Sequence, residues 1–230
     1  MPVAKSTKSV PPNVTAMRPR VAEGATIHPS AIIEPGVEIG AGSSVWDNAH
    51  IRRETKVGDE CIIGEKTCIA YDVEIGNRVK INTGVYICHG VTIGDGIMIS
   101  AHTVFTNDRF PRATTPDLKE LRSSDPDEET LLTKVEDGAT IGANCTIGGN
   151  LTIGRFAMVG MGALVTHDIP AFHLAVGAPA RSIGIVCRCG KPVFRFSPDA
   201  VPVEQDGLDC ECGLKYAISD SQVVEKNPPS

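Results

Sequence analysis

The chain is poor in large rings: among 230 residues there are one Trp, three Tyr and six Phe. That is too few to fill an ordinary sandwich core or to build a stacking platform for single-stranded nucleic acid. Leucine is scarce too, nine against 21 Ile and 22 Val. β-branched side chains lose χ1 freedom in helices, so this balance excludes a helical bundle. Basic charge is short. The 22 Lys and Arg against 28 Asp and Glu leave a net charge of −6 and a pI near 5.5, with no global attraction for nucleic acid or anionic lipid, so a polyanionic ligand needs a local basic pocket. Long apolar runs are missing, both as membrane spans and as an export signal. The expectation is a cytoplasmic protein with no nucleic-acid and no membrane partner.

What the chain has instead is a repeat of period six. Stepping by six from Val21 reaches Ile27, Ile33, Ile39, Val45, Ile51 and so on to Ile99 and Phe105. After a break the pattern resumes in phase at Val135 and runs through Ile141, Ile147, Ile153 and Val159 to Val165. Four residues after each start the side chain is usually small or β-branched, as at Ser43, Ala49, Thr67, Val79, Thr103 and Ala139, and Gly often follows the start, as at Gly58, Gly76 and Gly94. A hexad is too short for a helix and a turn. It reads as a short strand and a bend, with glycines and Asn or Asp supplying backbone conformations other residues resist. Such units bury nothing alone and must stack into a solenoid. A sandwich predicts period two and does not explain the shared register. Residues 106–134 interrupt the repeat with Asn107-Asp108-Arg109-Phe110-Pro111-Arg112 and a polar, acidic stretch. Since the register survives, this is a loop thrown out of a continuing scaffold, the usual position of a functional segment.

These hexads resemble the signature of the hexapeptide-repeat acyltransferases over residues 21–184. That resemblance implies an all-β fold, a left-handed parallel β-helix of about seven coils, assembled as a homotrimer. The stretch Ile81-Asn82-Thr83-Gly84-Val85-Tyr86 through His89-Gly90-Val91-Thr92 is similar to the sugar-nucleotide N-acetyltransferase branch. So are Val104–Asp108, Pro111-Arg112-Ala113, Ile141–Asn144 and Val176-Gly177-Ala178-Pro179-Ala180-Arg181. The implied activity moves acetyl from acetyl-CoA, held between subunits, to the amino group, at C3, of a UDP- or dTDP-linked amino sugar for surface polysaccharide (lipopolysaccharide) biosynthesis. An O-acetyltransferase of a hydroxy acceptor and a non-catalytic β-helix scaffold are the alternatives. A γ-type carbonic anhydrase is excluded, because no two histidines stand five residues apart as its metal site requires.

Amide formation needs a neutral amine and a proton acceptor, which favours histidine. His102, one short strand before the loop, is the first candidate and His89 the second; substrate-assisted attack without a protein base is the alternative. The remaining four, His28, His50, His167 and His173, read as structural or exposed. Asn82, Asn107 and Asp108 are candidates for sugar hydroxyls and Arg112 for a diphosphate or sugar carboxylate. For CoA the candidates are Lys80, Arg155, Arg181 and the Gly177-Ala178 turn; each of the three cations reads equally as a solvated surface charge.

Past Ile183 the hexads stop. Cys187-x-Cys189-Gly190 and Cys210-x-Cys212-Gly213 form two knuckles, a donor set for one closed structural zinc site within a zinc-ribbon-like segment, residues 185–218. Each pair is one residue shorter than the usual Cys-x-x-Cys, and free thiols or a disulfide are the alternative. Cys61, Cys68, Cys88 and Cys145 fall inside hexads as small core or groove residues. Residues 1–20 read as a flexible lead-in and 219–230 as a frayed tail.

Overall fold

A computed structural model describes residues 18–229. Most of the expected lead-in, residues 1–17, lies outside these residues, and Arg20–Val21 is already the first strand. Every hexad start from Ile39 to Val165 is buried. Strands of two or three residues recur at six-residue intervals and pair in parallel with the strand eighteen residues on, as Val57 with Ile75 and Ile75 with Ile93. Three flat faces result, each carrying seven coil strands. The first contains Glu74–Ile75, the second Lys80–Ile81 and the third Tyr86–Ile87. The architecture is a parallel β-solenoid consistent with the expected left-handed β-helix.

The interior is narrow because the second inward residue of most hexads is small or β-branched. Several of these side chains also satisfy the backbone. Ser43, Thr55, Thr67 and Thr103 donate their hydroxyls to the carbonyls of Gly58, Ala70, Asn82 and Gly142 at 2.8–3.0 Å. The Cys61 and Cys145 thiols do the same toward Gly76 and Gly160 at 3.1 and 3.2 Å. At the corner joining the first and second faces, Asp59, Asn77, Asp95 and Asp137 form a ladder in which each carboxylate or amide oxygen accepts the backbone N–H of the coil before, at 2.7–2.9 Å.

Left-handed backbone falls three residues after the hexad start, at Asn48, Glu54, Glu60, Lys66 and their equivalents. The glycines one residue after the start serve a different purpose: a Cβ at Gly58 would stand 2.6 Å from the Gly76 carbonyl oxygen, so these positions are empty to let coils approach. Backbone conformation, the role expected of glycine in such a bend, is not what these positions require. The neighbouring coil, visible only in the fold, supplies the real reason.

The loop leaves after Val104–Phe105 on the third face and returns at Thr133–Val135 on the first. It therefore covers the corner between these faces, and the coil closes beneath it, Phe105 pairing with Ile147. Beyond Val165 the second face continues through His173–Val176, then turns antiparallel through Arg181–Val186 and Pro192–Arg195. A separate antiparallel sheet follows, Gln205–Asp209, Lys215–Ser219 and Gln222–Glu225. The expected tail is thus corrected. Its central part is a strand, because Val223 and Val224 pair with Ile218 and Ala217 and the Glu225 side chain is buried in an ion pair.

Candidate functional site

Coil arithmetic puts residues eighteen apart on top of one another. At the corner between the third and first faces this stacks Arg53, Tyr71, His89 and Asn107. The Arg53 guanidinium lies 4.4 Å from the Tyr71 ring centroid, and the Tyr71 and His89 rings stack at 5.0 Å and 26°. His89 Nδ1 is 3.3 Å from the Tyr71 carbonyl oxygen. A carbonyl can only accept, so in that contact Nδ1 carries the proton and a neutral His89 keeps its lone pair on Nε2. Asn107 donates its Nδ2 to the His89 carbonyl at 2.9 Å and accepts the Leu131 N–H at 2.9 Å, which ties the two arms of the loop together. Tyr71 Oη donates to the Ser124 carbonyl at 3.5 Å, reaching the far part of the loop.

Two concavities flank this column. One of about 470 Å³ lies under the loop, lined by Tyr71, Asn107, Asp108, Arg112 and Asp127 among others. A groove of about 790 Å³ runs along the corner and is lined by Asp72, His89, Gly90, Thr92, Lys134 and Asp168 among others. The structure therefore brings His89, Asn107, Asp108 and Arg112 to one corner. Within it Asp108 accepts the Phe110 N–H at 3.0 Å and Arg112 donates to the Pro111 carbonyl at 2.8 Å.

It does not bring His102, Asn82 or Lys80 there. His102 is exposed on the corner between the second and third faces, at φ 60°, with its ring over Gly84 of the coil beneath. Asn82 belongs to that same corner, in a concavity of about 420 Å³ with Trp46, Glu65 and Ala101. Lys80 points outward from the second face between Ile62 and Met98. Arg155 pairs with Glu225 at 2.8 Å and covers the Phe172 ring at 4.9 Å, which ties it to the C-terminal segment. Arg181 pairs with Asp199 at 3.2 Å. Gly177, with φ 98°, and Ala178, before a cis proline, form the turn whose Gly177 carbonyl caps Leu164 of the third face.

None of the coil cysteines is a prepared nucleophile. Burial pushes the Cys88 thiol up to about 12 and raises those of Cys61, Cys68 and Cys145 as well. Tyr71 and Arg53 were missed in the sequence; the signal was present, since 53, 71, 89 and 107 are one coil apart.

Family models match most of the solenoid. Residues 18–53 and 72–107 match the bacterial transferase hexapeptide (six repeats), and residues 54–89 and 133–167 match the hexapeptide repeat of succinyl-transferase. The chain belongs to the hexapeptide-repeat family. Within that family, 93 residues are 39% identical to a dTDP-3-amino-3,6-dideoxy-alpha-D-galactopyranose 3-N-acetyltransferase of Aneurinibacillus thermoaerophilus, over 40% of this chain and 44% of that relative. The match thus spans less than half the relative's length. Among solved structures, a mutant of AntD, an N-acyltransferase from Bacillus cereus bound to dTDP-4-amino-4,6-dideoxyglucose and coenzyme A, is 19% identical with a TM-score of 0.50, covering 73% of this chain and 83% of that one. PerB from Caulobacter crescentus, in complex with CoA and GDP-perosamine, is 23% identical with a TM-score of 0.41, covering 70% and 57%. At 19% identity the likeness to AntD speaks to the fold alone.

Proposed function

We propose that this hexapeptide-repeat protein is an acetyl-CoA-dependent N-acetyltransferase acting on the amino group of a nucleotide-linked amino sugar. The observation that carries the reading is the column at the loop corner: an imidazole with its acceptor nitrogen left free, framed by Asn107, Asp108 and Arg112 beside a long groove. It is supported by the 39% identity to a dTDP-3-amino-sugar 3-N-acetyltransferase. C3 is accordingly the acceptor position proposed, with UDP or dTDP as carrier.

In this mechanism His89 accepts the proton as the neutral amine attacks the thioester carbonyl; the tetrahedral intermediate then collapses with cleavage of the C–S bond, and CoA leaves as the thiol, taking that proton. Tyr71 holds the imidazole through its ring and its carbonyl, and Asn107 fixes the His89 backbone from the loop. Arg112 offers a planar fork to a diphosphate or sugar carboxylate. What favours His89 over His102 as the base is its half-buried position beside the loop, where His102 is exposed one corner away.

The acetyl-CoA cleft is proposed between subunits of a homotrimer. The outward residues of the first face alternate in charge and pair along the stack, Arg20 with Glu38 at 3.0 Å and Lys56 with Glu74 at 3.1 Å, as a solvent-facing surface does. The third face instead exposes Ile32, Tyr86, Val104 and Leu164, and the adjoining corner exposes Trp46. That apolar contrast fits an interface between copies. Among the described residues no helix is long and apolar enough to cross a membrane, and both substrates are cytoplasmic metabolites, which is the location proposed.

The test is free-CoA release with a panel of nucleotide-linked 3-amino sugars and their 3-hydroxy counterparts. The amino sugars are expected to turn over and the hydroxy sugars to be inert. Turnover of hydroxy sugars alone would replace the reading with O-acetylation, and failure to bind CoA at all would favour a scaffold.

A further inference from the structure

The four cysteines beyond the solenoid come from two different sheets. Cys187 and Cys189 follow the Arg181–Val186 strand that extends the second face, and Cys210 and Cys212 sit between the first two strands of the separate C-terminal sheet. The two knuckles repeat one another. Gly190 donates to the Cys187 carbonyl at 2.8 Å and Gly213 to the Cys210 carbonyl at 2.9 Å, each glycine with positive φ, 85° and 93°. All four sulfurs lie within 4.8 Å of one another, with Cys187–Cys212 at 3.4 Å and Cys189–Cys210 at 3.5 Å. A disulfide needs about 2.05 Å. Four thiolates about 2.3 Å from a central zinc ion have sulfur–sulfur edges of roughly 3.8 Å, inside the 3.4–4.8 Å range of this cluster and far from a bonded pair.

A metal site is also recognised by what holds its ligands. Tyr216 is fully buried and donates its hydroxyl to Cys187 Sγ at 3.2 Å, while accepting the Arg188 N–H at 3.1 Å. That is the outer support that orients a thiolate ligand and tempers its charge. Arg188, the residue between the first two cysteines, lies 4.5 Å over the Phe156 ring and grips both oxygens of Glu225. Glu225 in turn holds Arg155 of the solenoid corner. The geometry of the first knuckle is therefore coupled to the only ion-pair cluster among the described residues that joins the last strand to the coils.

We infer that Cys187, Cys189, Cys210 and Cys212 bind one zinc ion as four thiolates, and that this ion fastens the C-terminal sheet to the end of the solenoid. All four tetrahedral places are filled by protein, so the ion is structural, with no open position for a reactant. Binding releases the thiol protons, which makes occupancy fall in acid.

The test uses the full chain purified under reducing conditions without added metal. Elemental analysis is expected to give about one zinc per chain, and replacement by cobalt to give the intense visible and thiolate charge-transfer bands of a tetrahedral tetrathiolate. Cys210→Ser combined with Cys212→Ser is expected to abolish metal content and to open the chain to protease beyond residue 186, while the solenoid stays intact. A wild-type protein free of zinc with four titratable thiols overturns the inference, as do paired disulfides or an iron-containing red protein. Metal content and the cobalt spectrum are independent of transferase activity, so failure of the proposed reaction leaves this result readable.

Discussion

The solenoid and the C-terminal segment are stabilised in opposite ways. In the coils every position is repeated: Ile63, Ile81 and Ile99 do the same job one above another, and each polar ladder has several rungs. In the segment beyond Val186 each contact occurs once. One Tyr supports one thiol, and one carboxylate, Glu225, serves two arginines. Stacked repeats make the coils respond as one unit to the loss of a side chain, whereas the loss of a single clamp stays local to the C-terminal segment.

Three perturbations sharpen this contrast. Ile81→Ala removes a fully buried side chain from a packed column and is expected to cost about 3 kcal/mol. Thermal unfolding should show the solenoid transition falling by several degrees yet remaining single; a separate early transition would mean the coils do not act as one stack. A smaller effect is expected at the junction, where His173 is buried, pairs with Ser182 Oγ at 3.0 Å and lies against Phe196. Burial holds its pKa down to about 4, from 6.5. The unfolded chain thus takes up this proton first, so stability is complete above about pH 6.5 and declines as the pH falls toward 4. Unfolding midpoints measured across this window should fall with pH, less steeply in His173→Asn; equal slopes would remove His173 from the account.

The smallest effect belongs to Glu225→Gln. The carboxyl is held below its usual range first by Arg188 and then by Arg155, and these partners are partly exposed, so the loss is estimated at about 1–2 kcal/mol. Limited proteolysis should find faster cleavage within residues 187–229 and an unchanged solenoid core. Destabilisation of both parts together would show that the clamp is not local.

The same contrast decides what the sequence made legible. The hexad register, the loop and its exit point were readable because each coil repeats the inward Ile or Val and the small residue after it. The column Arg53–Tyr71–His89–Asn107 was readable in principle from its eighteen-residue spacing, yet individual residue types drew attention to His102, whose corner is fixed by the phase within a coil rather than by its distance from the loop. The Arg155–Glu225–Arg188 clamp had no such signal. Its residues are up to 70 apart and belong to no repeat, so Arg155 read as a phosphate ligand and the last strand as a tail. The four cysteines stood out because two Cys-x-Cys-Gly knuckles share one local spacing, and the fold brings their sulfurs within 4.8 Å of one another.

The most direct test of the proposed site is the pH dependence of kcat for His89→Ala beside His102→Ala, at saturating acetyl-CoA and sugar nucleotide. The account predicts that His89→Ala lowers kcat by ~10²–10⁴-fold at pH 7 with little change in the apparent affinity for CoA. The defect should shrink at high pH, where the amine is already neutral, and His102→Ala should stay near wild type. A His89→Ala enzyme with normal kcat at pH 7, or a larger loss in His102→Ala, would contradict it.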